Sequence, residues 1–234
     1  MGNSEFIKEL ENLNIYMNSS QASQLEKYYT LLIEWNQKMN LTGITKKEDV
    51  YLKHFYDSAT LSKIINLKDY KSLCDIGTGA GFPGMILKIL FPHLQVTLID
   101  SLHKRIHFLK EVIHELSLDG ITVIEERAEE YAKIHREKFD IVTSRAVAPL
   151  SILMEYSVPL LKVDGYFIPM KGKIEDEMKN IGKATIQLGI ELEEKQIFTL
   201  PIENSQRSLI KFKKKKITNI KYPRKYNEIK KHPL

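Results

Sequence analysis

Cys74-Asp75-Ile76-Gly77-Thr78-Gly79-Ala80-Gly81-Phe82-Pro83-Gly84 joins a strand-like run, Ser72–Ile76, to a helical stretch, and no other segment restricts the fold as strongly. Gly77, Gly79 and Gly81 let the backbone turn sharply and approach a ligand with no Cβ in the way. Pro83 suits the opening of a helix, where its fixed dihedral is already helical and its missing N–H has no partner to lose. A strand, a glycine-rich turn and a helix in that order predict an α/β fold that binds a nucleotide-like ligand at the turn.

The chain beyond the turn repeats the alternation. Gln95–Ile99, Ile121–Ile124, Phe139–Thr143 and Tyr166–Met170 are strand-like, and Lys104–Leu116 between them carries Ile106, Leu109, Val112, Ile113 and Leu116 at helical spacing. Strands separated by such helices imply a mainly parallel sheet covered on both faces. Ile190–Leu200 and Arg207–Phe212 are joined by a link too short for a crossover helix, which predicts an antiparallel terminal hairpin. The first 70 residues read as helices: Ser20–Met39 puts Leu25, Tyr28, Leu32 and Trp35 on one stripe, and a second stretch runs from about Glu48 to Ile65. The predicted organisation is a helical cap over 1–70, an α/β core over 71–213 and a basic tail over 214–234.

Composition narrows the function. With 234 residues, 43% hydrophobic and 28% charged, the chain can bury a sizeable core. Cys74 is the single cysteine, so disulfides and multi-cysteine zinc sites are excluded, no metal is expected, and a reducing cytoplasm is the expected location. Glu5 and Lys8 interrupt any signal-like stretch, Phe6 breaks the myristoylation pattern, and no run of about 20 apolar residues exists, so no membrane association is expected. From Lys211 onward ten Lys and Arg face one acid, a charge of +9, against −4 for the first 210 residues. Such a tail suits nucleic-acid phosphates, with Lys213, Lys214, Lys215, Lys216, Arg224 and Lys225 as the expected RNA-binding residues.

Asp100 ends the second strand, 19 residues after Gly81, where a carboxylate can accept both hydroxyls of an adenosine ribose. Gly79, Gly81 and Gly84 also satisfy a dinucleotide pattern. Asp75, however, would oppose a pyrophosphate, and no Lys or Arg between Asp75 and Gly84 offsets it. The same charge suits the ammonium and sulfonium groups of S-adenosylmethionine (SAM), which is the expected cofactor.

With these residues in place, the sequence resembles the bacterial RsmG (GidB) family, SAM-dependent methyltransferases that modify a guanine N7 in small-subunit ribosomal RNA. The resemblance rests on Trp35-Asn36, Asn40-Leu41-Thr42, Lys53-His54-Phe55-Tyr56-Asp57-Ser58, the glycine turn, Asp100-Ser101-Leu102 with Lys104-Arg105, Arg127-Ala128-Glu129, Ser144-Arg145-Ala146-Val147 and Leu200-Pro201. It implies a Rossmann-like class I methyltransferase, cofactor contacts at Gly77, Phe82, Ala128, Glu129 and Arg145, and 16S ribosomal RNA or the small subunit as partner, with the protein a monomer. After Tyr222-Pro223-Arg224-Lys225 the sequence continues Tyr226-Asn227-Glu228-Ile229, where the family pattern has a Pro/Gly-rich continuation.

Guanine N7 carries a lone pair and no hydrogen, so its methylation needs in-line positioning rather than a base. The segment at 144–147 lacks the Asn/Asp-Pro-Pro-aromatic signature of exocyclic amine methylation, and Cys74 in a buried strand is unsuited to cytosine C5 chemistry. Arg145, His54 and Asp57 are the candidates for positioning groups. Arg145 at the sheet edge can meet the methionine carboxylate, an RNA phosphate or a structural partner. Methylation of another RNA or a small molecule, and an RNA-binding assembly role with SAM as a structural ligand, are the competing functions. The tail is expected to be separable from the cofactor pocket.

Overall fold

A computed structural model describes every residue except Ala146, which alone of the Ser144–Val147 segment lies outside the described residues. Strands β1 (Ser72–Ile76), β2 (Gln95–Asp100), β3 (Ile121–Glu125), β4 (Phe139–Arg145), β5 (Leu161–Lys171), β6 (Ile190–Thr199) and β7 (Gln206–Lys214) form one sheet. Its order is β3-β2-β1-β4-β5-β7-β6. The first five strands pair in parallel, while β7 is antiparallel to both β5 and β6, so the terminal hairpin inserts its second arm into the sheet. Strand order reverses between β1 and β4, which opens a crevice at their carboxyl ends.

Alternation along each strand builds two cores. Leu73, Leu98, Ile141 and Ile168 point into one, with the N-terminal helices and the helices Gly84–Leu90 and His103–Glu115. Cys74, Ile99, Val142 and Phe167 point into the other, with the helices Ala128–Ile134, Leu150–Ser157, Gly182–Leu188 and Tyr226–Lys231. The alternation of strands and helices that implied a doubly covered sheet is met: the central strands β1 and β4 are buried from both sides.

The N-terminal cap shares the first core. Its long helix, Ser19–Met39, starts with a capping box in which Asn18 and Gln21 exchange side-chain and backbone hydrogen bonds, and ends at Asn40 in the left-handed conformation. Gln21 Nε2 also donates to the Ile89 and Leu90 carbonyls, satisfying acceptors left over at the end of the helix Gly84–Leu90. Tyr28 lies fully buried among Phe55, Phe82 and Phe108, and its hydroxyl donates to the Ala80 carbonyl. The stretch expected as one helix over about 48–65 is instead an α-turn (Lys47–Val50), a π-helical turn (Tyr51–Tyr56), a second α-turn (Asp57–Ala59) and a 3-10 turn (Thr60–Lys63). Such π-turns gather at functional sites because the wider turn re-aims side chains.

The tail departs most from expectation. Lys214 is no RNA contact: it lies at 0% exposure at the end of β7, with Nζ donating to Glu137 and to the Val158 and Leu161 carbonyls. Arg224 is likewise engaged, in a two-pronged pair with the buried Glu155. Lys213 and Lys215 pair with Asp164 and Glu191, at 3.2 Å each, while Lys216 and Lys225 remain exposed without an ion pair among the described residues. Tyr222, Ile229 and Leu234 are buried in the second core, and Arg136 donates to the Thr218 and Tyr222 carbonyls. Residues 215–234 are a packed strap and not a solvated end, because this segment carries apolar anchors between its charges.

Arg224→Ala would leave the Glu155 carboxylate buried without its partner, a loss of about 3 kcal/mol. Thermal unfolding of the variant is expected to fall by roughly 6–12 °C for a chain of this size; an unchanged midpoint would show that the strap is not anchored there.

Candidate active site at the carboxyl ends of the strands

Asp75 and Asp100 hold the glycine turn from two sides. Asp75, fully buried, accepts at Oδ2 from Thr78 Oγ1 (2.7 Å) and from the Gly84 N–H (2.8 Å). Asp100 accepts at Oδ2 from the Gly79 N–H and from Arg105, and at Oδ1 from the Leu102 N–H, each at 3.0 Å. Gly77 has φ +65°, and a Cβ there would stand 2.6 Å from Val147 Cγ2, so only glycine fits the turn. The Asp75 expectation changes accordingly. Its carboxyl does not border the cavity at the strand ends, and its Oδ1 has no partner among the described residues, so its visible work is to brace the turn. Gly81 also lies outside the cavity, packed against Tyr28, Met85 and Leu109.

The crevice is a cavity of about 570 Å³, within the range of small-molecule sites. Gly77, Gly79, Phe82, Asp100, Ala128, Glu129, Arg145 and His54 all border it, although they come from four loops and the cap. At one end, Glu129 is 3% exposed and its Oε1 has no hydrogen-bond partner among the described residues; Arg127 NH1, at 3.8 Å, is too far to donate. A buried acceptor without a donor is costly, so this oxygen suits a ligand N–H. A SAM adenosyl group carries such a donor, and Gly77 leaves open backbone beside it. The donor set therefore fits the expected cofactor.

At the other end the cap supplies the wall. His54 stacks on Phe82 with ring centroids 4.5 Å apart, and the Arg145 guanidinium lies 5.2 Å from the same ring. Arg145 NH1 donates to the Lys53 carbonyl (2.9 Å) and to Asp57 Oδ2 (3.1 Å), while NH2 lies 3.2 Å from His54 Nδ1. Nδ1 also lies 3.1 Å from the Lys53 carbonyl, and Nε2 lies 2.9 Å from Thr42 Oγ1, so both ring nitrogens are engaged. Burial, with the Arg145 charge next, lowers the His54 pKa to about 3 and keeps the ring neutral. Asp57 does not border the cavity; it clasps Arg145 on one oxygen and Arg207 on the other, at 3.0 Å. It also faces a smaller adjoining cavity of about 300 Å³.

Sequence reasoning missed Val147, Tyr156 and Tyr226 as cavity residues. Tyr156 looks like one more apolar position on its helix. Tyr226 had one visible signal, its place at the break from the family's C-terminal pattern.

The chain matches the family model described as rRNA small subunit methyltransferase G over residues 21–217. It is 48% identical to the Ribosomal RNA small subunit methyltransferase G of Bacillus licheniformis, over 98% of each chain, and 46% identical to that of Lysinibacillus sphaericus over the full length of both. A SAM-dependent methyltransferase from Aquifex aeolicus has the same fold at a TM-score of 0.55, with 17% identity, over 74% of this chain and 96% of that one.

Burial raises the Asp75 pKa to about 7, so between pH 4 and 7 the folded protein holds a proton that the unfolded chain releases. The stability from this group is present below about pH 4 and lost as pH rises through 7. Asp75→Asn removes the dependence: relative to the parent, the variant's thermal midpoint is expected to improve from pH 4 to 7 and then level off. A constant offset across that range would refute the titration of Asp75.

Proposed function

The chain belongs to the rRNA small subunit methyltransferase G family and is a SAM-dependent methyltransferase of ribosomal RNA; we propose that it methylates N7 of a guanine in 16S ribosomal RNA. The observation that carries this reading is the cavity at the strand ends, with a buried unpartnered carboxylate oxygen at one end and a neutral, fully engaged His54 at the other. When bound, SAM supplies an electrophilic methyl group on its sulfonium.

The protein's own groups bind and orient. Glu129 Oε1 would accept from the adenine amine, and the Gly77 backbone permits close approach. Asp100, accepting two backbone N–H groups and Arg105, keeps the turn in shape, and as a carboxylate bordering the cavity it is the group we assign to the ribose hydroxyls. Ala128 opens the short helix beside Glu129. Arg145, held by Asp57 and the Lys53 carbonyl, presents a fixed cation to a carboxylate or phosphate.

No proton has to leave guanine N7, and the site agrees. His54 is neutral with both ring nitrogens engaged, and the Cys74 thiol is buried, which pushes its pKa up and leaves no thiolate. Rate must then come from proximity and alignment. Lys216 and Lys225, exposed on the strap without an ion pair among the described residues, are the cations we assign to RNA phosphates.

Incubation of unmodified small-subunit RNA with labelled SAM, followed by nucleoside analysis, is expected to yield 7-methylguanosine; label on an exocyclic amine or on cytosine C5 would overturn the assignment. Glu129→Ala is expected to weaken SAM binding about 10- to 100-fold by calorimetry, since a hydrogen bond to a charged group contributes roughly 1.5–3 kcal/mol. Unchanged affinity would remove Glu129 from the site.

A further inference from the structure

The C-terminal strap reaches the cofactor cavity. Tyr226, the first residue of the short helix Tyr226–Lys231, borders the same cavity as Glu129, Tyr156 and Arg127. Its ring is 38% exposed, yet the chain on both sides of it is fixed: Arg224 is clasped by Glu155, and Ile229 is fully buried in the second core. The Arg127 guanidinium lies over the ring, 4.9 Å from its centroid, and Lys230 Nζ is 6.0 Å from it. Both cations meet the ring itself, so what this side chain offers is its aromatic surface. An anchored ring beside a cavity that also holds the unpartnered Glu129 oxygen is complementary to a flat heterocycle with an edge N–H donor.

We propose that Tyr226, held by Arg127, closes the adenosyl end of the cavity and packs against the purine of the bound cofactor, so that the C-terminal strap is part of cofactor binding. This rests on the SAM-dependent reading above. It reverses the expectation that the pocket spans only Asp75 to Arg145 and is independent of the basic segment. It also gives a physical sense to the break in sequence pattern after Lys225: in place of a Pro/Gly-rich continuation, this chain has an aromatic residue opening a helix whose Ile229 locks it in position.

Stacking of a base on an aromatic side chain contributes about 1–3 kcal/mol, or roughly 5- to 150-fold in affinity. Calorimetry with SAM and with S-adenosylhomocysteine, on the full-length protein, is expected to show both ligands weakened at least fivefold in Tyr226→Ala and bound as by the parent in Tyr226→Phe. Tyr226→Leu, which retains apolar bulk without a ring, is expected to bind like the alanine variant. In methyl transfer, Tyr226→Ala should raise KM for SAM and leave KM for RNA where it was. Parent-like SAM affinity in Tyr226→Ala, or a rise confined to KM for RNA, would overturn the proposal. Loss of affinity in Tyr226→Ala accompanied by parent-like binding in Tyr226→Leu would assign the residue to packing of the strap and also overturn it. If the parent protein itself fails to bind SAM, it is the cofactor reading that falls, not the role of Tyr226 alone.

Discussion

Backbone N–H groups of a sharp glycine turn have no sheet or helix ladder to join, and here two carboxylates take them. Asp75 receives Gly84 and Asp100 receives Gly79 and Leu102, so the turn is tied both to the strand before it and to the neighbouring strand. The cavity depends on this arrangement because the turn forms its floor. A buried carboxylate with one unpartnered oxygen is energetically poor, which is why Asp75 resists ionisation. The turn's shape is obtained at the expense of local stability.

The cap is fixed to this floor by aromatic and ionic contacts of different kinds. Tyr28, Phe55 and Phe82 bury their rings together, each such burial contributing about 2 kcal/mol. Arg145 then joins the end of β4 to the π-turn through the Lys53 carbonyl, His54 and Asp57. Because Asp57 also binds Arg207 at the start of β7, one carboxylate couples the cap to two strands, β4 and β7, on one side of the sheet's switch point. Cap and α/β core act as one packed body, although their sequence patterns differ.

Charge alone misreads the C-terminal segment. Ten cations in 24 residues describe a tail that can attract RNA, but four of the six named cations are paired elsewhere: Lys213 with Asp164, Lys214 with Glu137 in the interior, Lys215 with Glu191 and Arg224 with Glu155. Lys214 is tolerated inside because it donates three hydrogen bonds, and burial lowers its pKa from the usual lysine value. Formal charge counts groups. Only packing decides which of them reach solvent.

The sequence by itself determined the strand–turn–helix opening, the strands of the sheet and the terminal hairpin, because period-two and helical apolar patterns and obligatory glycines are local properties. Gly77 was legible from the glycine turn, whereas Phe82, Glu129 and Arg145 were implied by the family resemblance, with which their places at strand ends or in the turns that follow agree. Tertiary structure decided what no local pattern encodes: the insertion of β7 beside β5, the π-turn that carries His54, the withdrawal of Asp75 from the cavity and the arrival of Tyr226 within it. Those outcomes depend on contacts between residues as far apart as 28 and 80, 57 and 207, or 127 and 226. A sequence pattern can show that a residue must be buried or charged, whereas the partner that meets it is chosen only when the chain closes on itself.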